Sequence, residues 1–228
     1  MSAIEIIPTV VPNSLADVAS ARERYASFAS AIHIDAADGV MAPNTTWTPA
    51  SGEKLSDADT FMYETHLMVK DPLEAGLAFA RAGSKRVVGH LEAFADIDHA
   101  RDALKKWREA GAKEVGIGVL FQTPLDTLEP HLSFCDCVIM MTIASIGVQG
   151  IPFAEGAVER IVEARKRFPD LLIGVDGGVS EKNITALAKA GATRFSVGSA
   201  IAKAPDPAAM YQNLMTLAQS AQSAIDTQ

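Results

Sequence analysis

The segment His33-Ile34-Asp35 lies inside a run of small and apolar residues. Burying an unpartnered carboxylate is costly, so the pattern calls for a compensating cation or a catalytic use. Along an extended segment alternate side chains face opposite ways, which puts His33 and Asp35 on one side and Ile34 on the other. Near the ends of later apolar runs stand His66, His90 and Asp176. Taken together, His33, Asp35, His66 and Asp176 form a mixed nitrogen and oxygen set. Such a set suits one divalent transition ion (zinc, iron, manganese or cobalt) rather than calcium or a thiolate-bound structural zinc. His90 reads as a residue behind the ligands or as packing, and His99 and His131 as surface residues on a helix and at a helix end.

Glycines make a second constellation. Asp176-Gly177-Gly178 precedes a helix expected to start near Ser180, and Gly198-Ser199 follows the last apolar run. Loops of this kind present backbone N–H groups to an anion, with tight turning as the competing explanation.

These residues need elements to hold them. Eight β-rich runs are read at residues 4 to 11, 31 to 36, 62 to 69, 85 to 92, 114 to 121, 136 to 143, 171 to 177 and 193 to 200. Between them lie segments with apolar residues three and four apart, such as LEAGLAFARAG and DIDHARDALKKWREAG, several ending in Ala-Gly. Alternating strand and helix implies parallel strands, which need crossover connections. The expected fold is an α/β (β/α)₈ barrel formed as one domain by residues 1 to 228, with an open doubly wound sheet as the alternative. In such a barrel the strand C-termini carry the chemistry, and the loops after strands seven and eight often bind phosphate. The second unit is the weakest. Residues 37 to 60 hold Pro43, Pro49 and Gly52, so a short helix and a long loop are expected there. A last helix is expected from about Pro207 to Ala224.

Bulk properties narrow the function classes. A net charge of −8 over 228 residues gives no reason to bind nucleic acid or an anionic membrane. No leader and no long apolar run is visible, so a cytoplasmic location is expected. Cys135 and Cys137 are too close for an unstrained mutual disulfide and are read as plain thiols.

The chain resembles the ribulose-phosphate 3-epimerases from about Ile7 to Ile201. The resemblance is carried by His33-Ile34-Asp35 with Asp38-Gly39 and Pro43-Asn44, by His66-Leu67-Met68-Val69, by Val175-Asp176-Gly177-Gly178-Val179 and by Gly198-Ser199. It implies that His33, Asp35, His66 and Asp176 bind one catalytic metal and that Asp35 and Asp176 serve as acid and base. It also implies that Gly177, Gly178, Gly198 and Ser199 hold the substrate phosphate, with Thr9, His66, Met68 and Met141 around the sugar. Three positions depart from the family. Pro8-Thr9 replaces a Pro-Ser pair, Ala37 replaces a methionine, and Ala144 to Gly150 rewrites the loop after strand six, where the family reads Asn-Pro-Gly-Phe-Gly-Gly-Gln.

The function so implied is a metal-dependent 3-epimerase interconverting D-ribulose 5-phosphate and D-xylulose 5-phosphate through an enediolate. The expected partner is a small sugar phosphate, and a homo-oligomer is compatible with the sequence. Alternatives are an epimerase of another ketose (a hexulose phosphate or an unphosphorylated sugar) and a non-catalytic sugar-phosphate-binding barrel. A phosphosugar lyase on a similar barrel is less well matched, because residues 35 to 38 read Asp-Ala-Ala-Asp without the lysine of the lyases' Asp-x-Lys-x-x-Asp arrangement.

Overall fold

A computed structural model describes residues 3–147 and 151–226. Its strands are β1 (Glu5–Val10), β2 (Ala31–Ala37), β3 (Met62–Met68), β4 (Arg86–His90), β5 (Glu114–Val119), β6 (Cys137–Met141), β7 (Ile173–Asp176) and β8 (Arg194–Val197). All pair in parallel in chain order, and β8 returns to β1 to close the barrel. The open-sheet alternative is thereby set aside.

The helices are α1 (Leu15–Tyr25), α2 (Pro72–Ala82), α3 (Ile97–Glu109), α4 (Ala157–Arg167), α5 (Ile184–Lys189), α6 (Ser199–Ala202) and α7 (Pro207–Asp226). Local chemistry sets their ends. Ser14 and Asp96 cap α1 and α3 by accepting the N–H groups of Asp17 and His99. Pro72 opens α2 without losing a helical hydrogen bond, since the first N–H groups of a helix have no intrahelical partner. Two expectations are corrected. No helix follows β2: residues 38 to 61 form turns and short extended pieces, because Pro43, Pro49 and Gly52 interrupt every candidate run. The helix after β7 begins at Ile184, not near Ser180, because residues 181 to 183 form a turn and Asn183 bonds back to Ser180 and Gly178.

The strands are buried on both faces and use them differently. Outward residues such as Ile32, Ile34, Leu67, Val87, Ile117, Val175 and Phe195 pack with the helices into the main core. The inner face is mixed. A smaller apolar cluster holds Met68, Val88, Cys137, Ile139 and Met141. At the N-terminal end, Arg86 bonds Glu64, Glu5 and Glu114, and Arg194 bonds Glu5 and Glu114. This ionic floor, with Arg86 and Glu64 buried and Glu5 and Glu114 partly exposed, lies beneath the residues of interest.

Candidate metal centre and active-site cavity

The barrel register brings the separated motifs together. Asp35 pairs with His66 across β2 and β3, Thr9 with His33 across β1 and β2, and Met141 with Asp176 across β6 and β7. One ligand atom from each of His33, Asp35, His66 and Asp176 lies within 4.8 Å of all the others. The imidazoles are fully buried, whereas the two carboxylates line a cavity of about 210 Å³ at the strand C-termini. Thr142 anchors the β7 end, its N–H and hydroxyl donating to the carbonyl of Asp176 at 2.8 and 2.9 Å.

Electrostatics favour a cation here. Burial alone would raise the Asp35 carboxyl, but the hydrogen bond from His33 and the positive charge of His33 and His66 outweigh it and hold the group well below its ordinary range. Burial opposes charging of both imidazoles. Asp35 and Glu64 nevertheless raise His33, and Asp176 and Asp35 raise His66. The cluster therefore attracts positive charge, and a divalent ion can replace protons on such a set. The residues also fit an ion by geometry. His66 Nδ1 lies 3.2 Å from Asp176 Oδ2 and 3.4 Å from Asp35 Oδ1, yet it is a buried polar atom without a hydrogen bond. His33 Nε2 lies 3.1 Å from Asp35 Oδ1 and 3.8 Å from Asp176 Oδ2. An ion at the centre would use these atoms as ligands and leave each ring's other nitrogen for a hydrogen bond.

Those hydrogen bonds are present. His33 Nδ1 meets Glu64 Oε1 at 2.5 Å and Ser196 Oγ at 3.0 Å, and Glu64 in turn accepts Arg86 at 2.7 Å. His66 Nε2 meets His90 Nε2 at 2.8 Å, so the histidine read from sequence as standing behind the ligands or as packing touches a candidate ligand directly.

Thr9, Met68, Met141, Gly177, Gly178, Gly198 and Ser199 line the same cavity as Asp35 and Asp176. Thr9 Oγ1 is buried without a hydrogen-bond partner. Gly177 and Gly178 have φ of +109° and +68°, and a Cβ on Gly177 would come within 2.6 Å of Ile143. Their left-handed backbone is one that other residues rarely adopt. Because α5 starts four residues late, an anion there would be held by loop amides rather than by a helix terminus.

Sequence reading missed several residues of this region. Asn44, which carried part of the resemblance but was given no site role, and Lys203 line the cavity, and Lys203 is the only cationic residue among the described lining residues. Glu64, Ser196 and Glu92 support the histidines. Glu64 carried a usable signal: it precedes His66 by two residues and so shares its inward face. In the altered loop after β6, Gly147 comes so close to Ala42 and Asn44 that a Cβ would lie within 2.6 Å of both, which ties this loop to the one after β2. Val148, Gln149 and Gly150 lie outside the described residues.

Comparison with known proteins identifies the relatives of this chain. The model of the ribulose-phosphate 3 epimerase family matches residues 5–202. A ribulose-phosphate 3-epimerase of Aquifex aeolicus is 33% identical, with 86% of this chain and 87% of the relative covered. Ribulose-phosphate 3-epimerase 1 of Cupriavidus necator is 30% identical, with 93% and 90% covered. Among solved structures, 3-hexulose-6-phosphate synthase from Salmonella typhimurium superposes with a TM-score of 0.71 at 14% identity, covering 96% of this chain and all of that one. At that identity the likeness shows the barrel alone.

Proposed function

The chain belongs to the ribulose-phosphate 3-epimerase family and is thus an isomerase acting on carbohydrate; from that premise we propose that it is a metal-dependent 3-epimerase of a phosphorylated ketose, with D-ribulose 5-phosphate and D-xylulose 5-phosphate as the pair. The observation that carries the metal dependence is the convergence of His33, Asp35, His66 and Asp176 beneath one cavity, with His66 Nδ1 left without a hydrogen bond.

Epimerisation at C3 takes a proton from the carbon beside the ketone on one face and returns one on the other, through an enediolate. Asp35 and Asp176 come from strands separated by β1 and β8, and both carboxylates reach the cavity. One removes the proton while the other supplies it, and the roles exchange in the reverse direction. A divalent ion held by His33, Asp35, His66 and Asp176 would act as the Lewis acid for charge developing on the substrate oxygens. Met68 and Met141 give the reacting carbons an apolar, polarisable wall, and the amides of Gly177, Gly178, Gly198 and Ser199 take the phosphate.

The rewritten loop from Ala144 to Gly150 favours a second reading, a ketose phosphate of different length, because Gly147 and Ile151 line the cavity. One experiment covers both. The protein is incubated in heavy water with ribulose 5-phosphate or a hexulose 6-phosphate, and deuterium at C3 is followed by NMR with and without added metal. Metal-dependent exchange of the five-carbon substrate is expected. Asp176→Asn should fold and lose roughly 10²- to 10⁴-fold in exchange rate. Exchange only with the six-carbon sugar would replace the substrate, and exchange with neither would refute the epimerase reading.

A further inference from the structure

We propose that Glu92, acting through His90, is a positioning residue that holds the hydrogen of His66 on Nε2, away from the carboxylate cluster. A chain of contacts runs inward from Glu92. Its Oε1 accepts the N–H of Leu120 at 2.9 Å and the hydroxyl of Thr123, so the side chain is held in place from the β5 end. Its Oε2 lies 3.2 Å from His90 Nδ1. A carboxylate only accepts, so His90 carries hydrogen on Nδ1. In a neutral imidazole the other nitrogen then bears the lone pair, so His90 Nε2 is an acceptor. That atom faces His66 Nε2 at 2.8 Å, and a bond between them needs one hydrogen, which must belong to His66. With that hydrogen on Nε2, a neutral His66, the form that binds an ion, keeps a bare lone pair on Nδ1, the atom aimed at Asp35 and Asp176.

Each step follows from valence, and His90 is fully buried, so water does not offer its ring another partner. His33 reaches the same result by a shorter route, because Glu64 accepts directly from its Nδ1. The two histidines are thus oriented by independent carboxylates, one on the barrel floor and one just past the end of β4. The inference rests on the metal reading of the cluster, since a bare Nδ1 is useful to an ion.

Glu92→Gln tests it. An amide cannot accept on both sides, so an NH₂ group must face either the Leu120 and Thr123 donors or His90 Nδ1. Facing His90 it would reverse that ring's tautomer and push the His66 hydrogen toward Nδ1. Chelator-treated wild type and E92Q are titrated with Co²⁺, read by visible absorption, and the ring tautomers are read from long-range ¹H–¹⁵N correlations. The expected result is a cobalt affinity lowered roughly 10- to 100-fold in E92Q with unchanged stoichiometry. Wild type should show hydrogen on Nε2 of His66 and Nδ1 of His90. Equal cobalt affinity in the two proteins overturns the role of Glu92 while leaving the metal site standing. Failure of wild type to bind cobalt overturns the metal reading and this inference with it. The wild-type tautomers need no variant, and hydrogen on His90 Nε2 would refute the proposal even if E92Q does not fold.

Discussion

Replacing Arg86 by methionine should show how far the ionic floor supports the site above it. The Arg86 side chain is 1% exposed and touches three carboxylates: Glu64 at 2.7 Å, Glu5 at 3.2 Å and Glu114 at 3.0 Å. They would not lose equally. Glu5 and Glu114 are 37% and 29% exposed, and both keep Arg194 as a second cation, at 3.3 and 2.8 Å. Glu64 is 2% exposed and would be left with His33 alone. Breaking a buried ion pair from one side costs about 3–5 kcal/mol, because the remaining charge is uncompensated. Since Glu64 keeps one partner, the low end, about 3 kcal/mol, is expected. At roughly 2–4 °C per kcal/mol for a domain of this size, that is a fall of about 6–12 °C in melting temperature. The assay is urea unfolding of wild type, R86M, E64Q and the double variant. Removing both charges should be far milder than the sum of the single losses, since a buried pair can often be replaced by neutral groups at little cost. An R86M loss below about 1 kcal/mol, or strict additivity in the double variant, would refute the reasoning.

Three other outcomes follow from the same structure. Lys203→Met should raise KM for a phosphorylated ketose roughly five- to tenfold with kcat little changed, the signature of a contact made equally in ground and transition states, and an unchanged KM would remove Lys203 from phosphate binding. Burial opposes ionisation of Glu114, but Arg86 and Arg194 outweigh it and hold the group below its ordinary 4.5. A depressed carboxyl stabilises the fold fully above that value and loses the contribution as pH falls below it. E114Q should therefore show a flatter loss of urea stability than wild type between pH 5 and about 3, and parallel curves would count against the ion pairs. Burial pushes the thiols of Cys135 and Cys137 up to about 12, so iodoacetamide at pH 7.5 should label neither in the native protein and both in urea, read by intact mass.

Much of the barrel is legible from local pattern, because strand and helix periodicities are properties of a few consecutive residues. The run AIHIDA became β2, with His33 and Asp35 inward and Ile34 in the outer core, as alternation requires. Local punctuation was harder to weigh. The segment after β2 was expected to hold a short helix and holds turns, and α5 starts at Ile184 rather than near Ser180, since a proline or an asparagine side chain can redirect a single turn.

The sequence by itself determined the element order, the inward faces of the strands and the residue types able to hold a divalent ion. Only the tertiary structure decided which of those residues meet. Contacts such as Asp35 with His66, Arg86 with Glu64, and His66 with His90 join strands many residues apart, and they depend on the stagger with which a closed parallel sheet sets its register. No local pattern encodes that stagger. It follows from closing the barrel around its own side chains, and for that reason the partners of the supporting carboxylates Glu64 and Glu92 emerged only once the cylinder was complete.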